Sequence, residues 1–508
     1  MSMPAELIRP HVTLDQLLKG LGNAPAIRIN GLSSDSRKLR PGYVFVALAG
    51  ESSHGLRFLD QALAAGVSAV VFDPRTAAAD PLKCNVPLIP VDDLAIRVGD
   101  IANRWYGTPS AQMAVTGVTG TNGKTTVAFL IAQCRQLLQC KSAYVGTLGA
   151  GMDELQDDAA MTTPGCIDLH DLLAGFRDAG ATHVALEVSS HGIRQERIAG
   201  VLFESAIFTN LSRDHIDYHG DMKSYGETKA RLFLEHDLEH RIINIDCDFG
   251  RNLASRCAEN VVVVATESSI ENVGREFVHV RKMSPMDHGF RVDFGSSWGD
   301  GSFHLPLYGR FNVSNAAAVL ALLLSQGVSR DDACNVLQNV TAPAGRMQRL
   351  LHASMPAVFV DYAHTPAGLE AALLALRPHC AGKLWCVFGC GGDRDHGKRP
   401  MMGEIASRLA DRTVVTNDNP RGEAPEAIIA QILAGMAGDT AGPAVVIEDR
   451  AAAIAYAVSR ADDDDLILIA GKGHEQYQLT GNERRPFSDY AIAFANLSAR
   501  QVHGAGRT

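Results

Sequence analysis

The stretch Gly117–Thr126 has the residue types and spacing of a phosphate-binding loop. It reads Gly-Val-Thr-Gly-Thr-Asn-Gly-Lys-Thr-Thr, between a β-branched run and an apolar pattern of helical spacing. In such loops the backbone N–H groups at the helix start surround phosphate oxygens, Lys124 would reach the outer phosphates, and the Thr125 hydroxyl would suit Mg²⁺. A strict version of the motif needs glycine where this chain has Val118. The stretch therefore predicts a variant phosphate-binding loop, against the alternative of a glycine-rich turn with a solvated lysine.

Two polar segments further along contain candidate metal ligands. Glu187–His191 and Thr209–His219 each follow an apolar run that is typical of a buried strand. Carboxylates and imidazoles at the carboxyl ends of parallel strands, beside a phosphate-binding loop, are well placed to hold Mg²⁺ ions that bridge phosphates. Glu187 and His215 are the leading candidates. Because histidine is an unusual magnesium ligand, an equal interpretation is that His215 fixes a loop by hydrogen bonding.

Lys229 is a further charged residue of this region. It lies within a predicted helix, Lys223–Phe233. Lysine side chains are mostly exposed, so the spacing alone favours a salt-bridging residue at the surface.

Three polar segments in the last quarter of the chain each follow an apolar strand-like run. They are Gly389–Pro400, Asn417–Arg421 and Gly471–Glu475. An arginine binds a carboxylate through two parallel hydrogen bonds and acidic groups bind an ammonium, so one shared edge would suit a zwitterion. The alternative for each segment is a polar turn. The residues concerned are Arg394, Arg421, Asp418, Asn419 and Glu475.

Two hydroxyl-rich segments near the amino end, Gly31–Arg37 and Gly50–Gly55, lie on successive connections of a predicted sheet. Such segments are typical of turns. Two of them on one sheet indicate a ligand-binding edge equally well, since ligands favour the carboxyl ends of such strands.

The composition is that of a globular protein and argues against several classes. The 508 residues are 46% hydrophobic and 20% charged, with a formal net charge of −10. This balance argues against a nucleic acid or a membrane surface as a partner bound by bulk electrostatics. Without a signal-peptide core or a membrane-length apolar run, we expect a cytoplasmic protein. Ten scattered cysteines fit a reducing compartment, and Cys386 and Cys390 are expected to face a core rather than bind zinc.

Strand-like and helical patterns alternate along the chain, which predicts an α/β protein. The length suggests about three domains. We predict a small α/β domain at 1–107, a central domain at 108–343 and a C-terminal domain at 344–508. The central domain would carry the phosphate-binding loop on a mostly parallel sheet with helices on both faces. The C-terminal domain would be Rossmann-like.

Taken together, these segments resemble the Mur ligase superfamily. The resemblance extends from Asp35 to Glu475 in the family's order, and it includes valine at position 118. The stretches that carry it are Thr119–Thr126, Glu187–His191, Asp214–His219, Tyr308–Asn315, Gly345–Arg346 and Asp361–Pro366.

The resemblance implies an ATP-dependent amide ligase of peptidoglycan precursor synthesis. It would phosphorylate the D-glutamyl γ-carboxylate of UDP-N-acetylmuramoyl-L-alanyl-D-glutamate. The amine of meso-2,6-diaminopimelate would then attack the acyl phosphate. ATP and Mg²⁺ would be the cofactors, the two small molecules would be the partners, and the chain would act as a monomer.

The resemblance also assigns the nucleotide and metal residues, position by position. Lys124, Lys229 and His215 would be catalytic, with Lys229 carbamylated by CO₂ so that it supports a second Mg²⁺. The metal ligands would be Thr125, Glu187, His215 and the carbamylated Lys229. The ATP-binding residues would be Gly120, Thr121, Asn122, Gly123, Lys124, Thr125, Thr126, Asn312, Arg346 and Asp361.

Two sets of substrate-binding residues also follow from the resemblance. The loop Glu51–Ser53 differs in composition from the family's forms, so no contact is assigned to it. The UDP-substrate would be bound by Ser34, Ser36, Thr162, Thr163, Ser189, Gln195 and Arg197. Diaminopimelate would be bound by Arg394, Asp418, Asn419, Pro420, Arg421, Gly471 and Glu475.

The choice of amino acid depends on Asp418–Arg421, which resembles the family's diaminopimelate signature. Lysine-adding relatives lack this arginine. Diaminopimelate has a distal carboxylate that lysine lacks, and a site built to hydrogen-bond such a group can reject the analogue by up to roughly 10⁴–10⁵-fold. The alternatives are an L-lysine-adding ligase, a folylpolyglutamate synthase-like ligase and a non-catalytic nucleotide switch. The sequence has no Asn-Lys-x-Asp motif, which counts against a GTPase switch.

Overall fold

The chain divides into two compact units, Met1–Val263 and Val264–Thr508. Glu51 and Ser52, in the loop to which the sequence assigns no contact, lie outside the described residues. The structure is a computed structural model that describes residues 12–50, 53–76, 84–156, 161–270, 275–350, 356–436 and 444–504.

Strands and helices alternate in the first unit, as predicted for an α/β protein. Its strands are β1 (Gly31–Ser33), β2 (Tyr43–Ala47), β3 (Ala69–Phe72), β4 (Leu88–Pro90), β5 (Ala114–Thr119), β6 (Ser142–Gly146), β7 (Gly149–Gly151), β8 (His183–Glu187), β9 (Ser205–Phe208), β10 (His240–Asn244) and, across the unit boundary, β11 (Val261–Ala265). Its helices are α1 (Leu14–Leu17), α2 (Leu59–Ala64), α3 (Leu94–Tyr106), α4 (Lys124–Leu137), α5 (Cys166–Asp178), α6 (Ser190–Arg194), α7 (Ile216–His219), α8 (Met222–Leu234) and α9 (Asp248–Arg256).

The sheet nearest the amino end contains β1, β2, β3 and β4 in that order, and each neighbouring pair is parallel. The prediction that all of Gly31–Arg37 forms a polar connection is wrong. Gly31–Ser33 forms β1, and the chain then turns into a short 3₁₀ helix at Ser36–Lys38. Ser34 follows the end of β1 and Gly50 follows that of β2, so both hydroxyl-rich segments leave the same edge of the sheet.

The phosphate-loop strand β5 lies inside the second sheet of this unit, whose order is β10-β9-β5-β8-β6-β7. Only the edge strand β7 is antiparallel to its neighbour. The mostly parallel sheet is therefore confirmed. Val127, Leu130, Ile131 and Cys134 of α4 are buried at the predicted helical spacing. Because the strands are parallel, the segments after β5, β8 and β9 meet at one edge.

The second unit again mixes strands and helices. Its strands are β12 (Glu276–Pro285), β13 (Phe290–Ser296), β14 (Gly301–Leu305), β15 (Gln348–Arg349), β16 (Ala357–Asp361), β17 (Leu384–Phe388), β18 (Arg412–Val415), β19 (Val445–Val446), β20 (Leu466–Ala470), β21 (Tyr477–Thr480) and β22 (Glu483–Pro486). Its helices are α10 (Arg310–Ser325), α11 (Arg330–Leu337), α12 (Pro366–Leu376), α13 (Lys398–Leu409), α14 (Pro425–Ala434), α15 (Arg450–Arg460) and α16 (Asp489–Gly504).

The larger sheet of this unit has the order β15-β16-β20-β17-β18-β19. All neighbours are parallel except β15, which is antiparallel to β16. This mostly parallel sheet confirms the prediction of a Rossmann-like fold for the C-terminal part of the chain. Cys386 and Cys390 are buried in the core beneath the sheet, also as predicted. The carboxyl ends of β17, β18 and β20 lie side by side.

The strands β12, β13 and β14 form an antiparallel arrangement that the sequence analysis missed. Val278 and Val280 are buried with the alternation expected of a half-buried strand. The pairing register shifts between Val280 and Lys282, so a β-bulge breaks the alternation after two periods. The remaining pattern is too short to identify a strand.

Arg450 and Asp489 form a fully buried ion pair in the second unit. The guanidinium donates to both carboxylate oxygens, at 2.7 and 2.8 Å, and also to the backbone oxygens of Asn417 and Ala470. The pair thus connects α15, α16, the loop after β18 and the last residue of β20.

We expect Asp489→Asn to lower the free energy of unfolding of this unit by about 3–5 kcal/mol, because it leaves the Arg450 charge buried without a counter-ion. Scanning calorimetry of the full chain measures this. Asp463→Asn is the matched control, since it removes an exposed carboxylate paired with Arg500, and such pairs contribute only about 0–1 kcal/mol. Equal effects of the two substitutions would contradict the expectation.

Among the described residues, no helix is both long enough and apolar enough to cross a bilayer. The ten cysteines all lie within the described residues, and none of them forms a disulfide bond.

Candidate active site

The predicted phosphate-binding loop connects β5 to α4 at the carboxyl edge of the central sheet. Gly123 precedes the helix with a left-handed φ of 87°, and within the described chain no side chain caps the first turn of α4. The N–H groups and the dipole of this helix start therefore favour an anion. Gly120 is required as well, because a Cβ there would lie 1.9 Å from Thr209 Oγ1. The geometry fits a phosphate even with valine at position 118.

The segment after β9 holds this loop in shape. The backbone oxygen of Asn210 accepts a hydrogen bond from Thr121 N at 2.8 Å, and its side-chain oxygen accepts one from Asn122 N at 3.1 Å. The Thr121 hydroxyl accepts from Ser212 N at 3.0 Å and from the Tyr225 hydroxyl at 3.3 Å. Thr121 and Asn122 thus anchor the loop to the segment after β9.

Two lysine side chains share one carbonyl of the loop. Lys124 Nζ donates to Gly120 O at 3.0 Å and to Thr121 O at 2.8 Å, and Lys229 Nζ donates to Gly120 O at 2.8 Å. The Lys229 ammonium also lies 4.4 Å from the centre of the Tyr225 ring. The structure therefore brings Lys229, from α8, directly to the loop.

The prediction that Lys229 is a surface residue is wrong. Its side chain is only 1% exposed, because the face of α8 that contains Tyr225 and Lys229 packs against the loop. Burial, and then the charge of Lys124, hold the pKa of Lys229 well below its ordinary value. A buried amine with a lowered pKa has an accessible lone pair, so it can act as a nucleophile.

Glu187 is fully buried at the end of β8 and is joined to the first turn of α4. Its Oε2 accepts a hydrogen bond from Thr125 Oγ1 at 2.9 Å. Its Oε1 accepts from Thr147 N at 2.9 Å and from the Tyr144 hydroxyl. An adjacent hydroxyl and carboxylate are the hard oxygen donors that Mg²⁺ prefers, so this pair fits the predicted metal.

His215 lies in a group of aromatic and imidazole rings. Its side chain is about half exposed, with Nε2 3.5 Å from Asp214 Oδ2. Its ring meets that of His191 edge to face at 4.9 Å and that of Tyr225 at 6.2 Å. Metal ligation and loop fixing by His215 both stay predictions.

Five of the seven residues assigned to the UDP-substrate form one connected network. The Thr163 hydroxyl donates to Glu187 O at 2.8 Å and accepts from Ser189 N at 3.0 Å. Arg197 donates to Thr163 O at 2.9 Å and to the Gln195 side chain at 3.1 Å. Thr162 joins through a 3.1 Å hydroxyl contact with Thr147.

The other two residues of that set, Ser34 and Ser36, lie at the edge of the small sheet. Both are half-buried, and the Ser36 hydroxyl donates to the Gln61 side chain at 2.9 Å. Lys38, from the same turn, forms a 3.0 Å ion pair with Asp168 in the first turn of α5. The turn is therefore anchored to the helix that begins just after Thr163.

The carboxyl ends of β17, β18 and β20 bring the predicted zwitterion residues to one rim of the second unit. A Cβ at Gly391 would lie 2.8 Å from Arg421 Nη1, so Arg421 reaches the loop after β17, which itself contains Arg394. Arg421 donates to Gly392 O at 2.8 Å. Arg421 thus contacts the loop that contains Arg394.

The rest of the signature segment packs closely against glycines. A Cβ at Gly471 would lie 2.6 Å from Asp418 Oδ2, and one at Gly392 would lie 1.8 Å from Pro420 O. Asn419 donates to Glu475 Oε2 at 2.9 Å, which joins the loop after β18 to the loop after β20. The rim therefore carries an amide–carboxylate pair as well as the two arginines.

Asn312, Arg346 and Asp361, predicted to contact the nucleotide, also lie in the second unit. Asp361 Oδ2 accepts from Met347 N at 2.7 Å, and burial raises the pKa of Asp361 against the opposing charge of Arg346. The Arg346 guanidinium stacks 4.6 Å from the Tyr362 ring centre. Asn312 is buried in the first turn of α10, where it donates to Tyr308 O at 2.8 Å.

Sequence reasoning missed two buried cations near the rim. Lys472 donates to both Asn419 and Glu475, and Arg399 pairs with Glu423 through two 2.9 Å contacts. The position of Lys472 between two glycines just after a strand was an available signal. No spacing in the sequence connects Arg399 to Glu423.

Three parts of the chain match domain families. Residues 28–106 match the Mur ligase family, catalytic domain, residues 118–323 match the Mur ligase middle domain, and residues 345–473 match the Mur ligase, glutamate ligase domain. The chain belongs to the Mur ligase family. The family assignment made from the sequence is confirmed.

Curated relatives of this Mur ligase extend the comparison to nearly the whole chain. The UDP-N-acetylmuramoyl-L-alanyl-D-glutamate--2,6-diaminopimelate ligase of Pseudomonas aeruginosa is 45% identical over 93% of this chain and 96% of its own length. The enzyme of the same name from Alkalilimnicola ehrlichii is 44% identical over 94% and 96%.

A solved structure of a UDP-N-acetylmuramoyl-L-alanyl-D-glutamate--2,6-diaminopimelate ligase is similar in fold. Its TM-score is 0.70 at 32% identity, and the match covers 97% of this chain and 99% of that one. The three-domain α/β architecture of the family is therefore that of this chain.

Proposed function

We propose that this chain is an ATP-dependent ligase that adds meso-2,6-diaminopimelate to UDP-N-acetylmuramoyl-L-alanyl-D-glutamate. The observation that carries the proposal is the rim to which the loops after β17, β18 and β20 bring Arg394, Arg421, Asn419 and Glu475. Two cations beside a carboxylate suit an amino acid that has an extra carboxylate as well as ammonium groups. The names and identities of the curated relatives support the same reaction.

The reaction needs activation because a carboxylate is a poor electrophile. ATP would transfer its γ-phosphoryl group to the D-glutamyl γ-carboxylate, which gives an acyl phosphate and ADP. The free amine of diaminopimelate would attack the acyl carbon, and the tetrahedral intermediate would expel phosphate and leave an amide. In such a reaction the protein contributes mainly by positioning the reacting groups and neutralising their charge.

The phosphate-binding loop would supply much of that neutralisation. The helix start after Gly123 faces the phosphates with its N–H groups and dipole. Lys124 now donates to two carbonyls of its own loop, and we infer that it turns from these oxygens to the phosphates when ATP binds. Asn312, Arg346 and Asp361 would contact the rest of the nucleotide.

Magnesium is the cofactor we propose for this site. Thr125, Glu187, His215 and Lys229 in its carbamylated form would hold it, and the ion would neutralise charge on the phosphates. The hydroxyl–carboxylate contact between Thr125 and Glu187 supports the choice. The buried amine of Lys229 supports carbamylation, since an uncharged amine is the form that reacts with CO₂.

The network of Thr162, Thr163, Ser189, Gln195 and Arg197, with the turn at Ser34 and Ser36, would bind the UDP-substrate. Thr163 supports this role, because its hydroxyl joins the network directly to the backbone of Glu187. A substrate bound there would have its reacting end near the phosphate-binding loop.

Phosphate release in the presence of different acceptors tests the proposal. With ATP, Mg²⁺ and the UDP-dipeptide, we expect release to require meso-diaminopimelate, with L-lysine poorer in kcat/KM by about 10³-fold or more. Mass spectrometry of the product checks for the new amide.

Each alternative predicts a different result in the same assay. Equal use of lysine would identify a lysine-adding ligase, and use of a folate with glutamate would identify a folylpolyglutamate synthase-like enzyme. Hydrolysis of ATP without any acceptor would favour a nucleotide switch. The monomeric state and the cytoplasmic location stay predictions, which sedimentation and cell fractionation can test.

A further inference from the structure

Lys472 is a fully buried lysine on the rim of the second unit. It follows β20 directly after Gly471, and its side chain is 0% exposed. The ammonium donates to Asn419 Oδ1 at 3.0 Å and to Glu475 Oε2 at 2.7 Å. Because it has no exposed surface, Lys472 cannot touch a bound amino acid itself. It does touch two of the residues proposed to bind one.

The hydrogen bonds of Lys472 fix the orientation of the Asn419 amide. Asn419 Oδ1 accepts two hydrogen bonds, from Lys472 Nζ and, at 2.9 Å, from Leu479 N. An amide oxygen has two acceptor sites, so this atom is fully used. The amide nitrogen must then point the other way, and it donates to Glu475 Oε2 at 2.9 Å.

The same bonds leave one oxygen of Glu475 for a ligand. Glu475 Oε2 accepts from both Lys472 and Asn419. Within the part of the chain that the structure describes, no hydrogen bond reaches Glu475 Oε1. The carboxylate is therefore held on one side by two donors, and its other oxygen is available to an ammonium group.

We propose that Lys472 is a positioning residue for the amino-acid substrate. It orients Asn419 and Glu475 so that Glu475 Oε1 receives an ammonium group, while the arginines of the rim take the carboxylates. This inference rests on the proposed function and identifies what organises its amino-acid site. The rival explanation is that the Lys472–Glu475 pair only stabilises the fold.

The test uses the full chain with the substitution Lys472→Met, which keeps the length and apolar stem but removes the charge and all donors. We expect the KM for meso-diaminopimelate to rise by about 30–100-fold, with kcat and the KM values for ATP and the UDP-dipeptide within about threefold. If this variant does not fold, Lys472→Gln keeps an amide NH2 group as a donor and is expected to give a smaller rise of the same kind.

A double-mutant cycle with Glu475→Gln separates the two explanations. If Lys472 acts through Glu475, the double variant should have a KM for diaminopimelate no higher than that of the worse single variant. If the KM increases of the two single variants instead multiply in the double variant, Lys472 and Glu475 act independently and the inference is overturned.

Lys383→Met is the matched control. This lysine lies at the amino end of the same sheet, is 48% exposed and approaches Asp462 at 3.4 Å, so all KM values should stay unchanged. An unchanged diaminopimelate KM in Lys472→Met, or an equal rise for all three substrates, overturns the positioning role alone. A wild-type chain that needs no amino acid to release phosphate overturns the proposed function and this inference with it.

Discussion

Replacing Lys229 by alanine is expected to lower kcat by about 10³-fold, comparable to the loss of a preorganised charged group in other active sites. The Lys229 amine lies 2.8 Å from Gly120 O and is almost completely buried. If it is carbamylated, the variant also loses a carboxylate that helps to hold the metal. Steady-state phosphate release at saturating substrates measures the effect.

Bicarbonate distinguishes the carbamate from a simple lysine. Wild-type activity should fall when CO₂ is removed and return when bicarbonate is added, whereas Lys229→Ala should not respond. Lys229→Met, which keeps the apolar stem beside Tyr225, should behave like the alanine variant and rules out loss of packing as the cause. Lys223→Ala is the control, because this lysine is exposed in the first turn of the same helix. Intact activity in Lys229→Ala would remove this residue from the mechanism.

The sequence predicted the parallel parts of the fold well, because buried parallel strands are continuous apolar runs. Val261–Ala265 and Leu384–Phe388 are such runs, and each coincides with a strand of the structure. The antiparallel strand β12 was missed because a bulge after Val280 interrupts the alternation on which such predictions depend. In β13 the alternation of buried Phe290, Val292 and Phe294 was an available signal. Periodicity thus identifies strands only where the backbone is regular.

The candidate site was predictable where its residues directly follow strands. Parallel topology fixes which loops meet at one edge, so the rim containing Asn419 and Glu475 could be inferred from order alone. Lys229 could not be placed in this way, because its contact with Gly120 depends on how α8 packs. For the same reason the burial of Lys472 is a property of the tertiary structure, although its two flanking glycines were visible in the sequence.

The Arg421→Ala variant is expected to raise the KM for meso-diaminopimelate by about 10²–10³-fold, since each charged hydrogen bond of a guanidinium to a carboxylate contributes about 1.5–3 kcal/mol. The KM for ATP should stay within about twofold, because Arg421 is not among the residues proposed to bind ATP. The substitution adds no backbone strain. Arg421 already has a left-handed φ of 54°, a conformation in which arginine and alanine are similarly strained.

Discrimination against lysine should fall together with affinity in this variant. Arg421 is the donor that would stay unpaired when lysine binds. Without it, the ratio of kcat/KM for the two acceptors should approach that of a non-selective site. Arg421→Lys keeps the charge but not the planar fork, and it should recover only part of the affinity. Arg412→Ala, an exposed arginine at the opposite end of β18, should leave both acceptors unaffected. An unchanged KM in Arg421→Ala would refute the assignment of the rim to diaminopimelate, because it would mean that the distal carboxylate is bound by other groups.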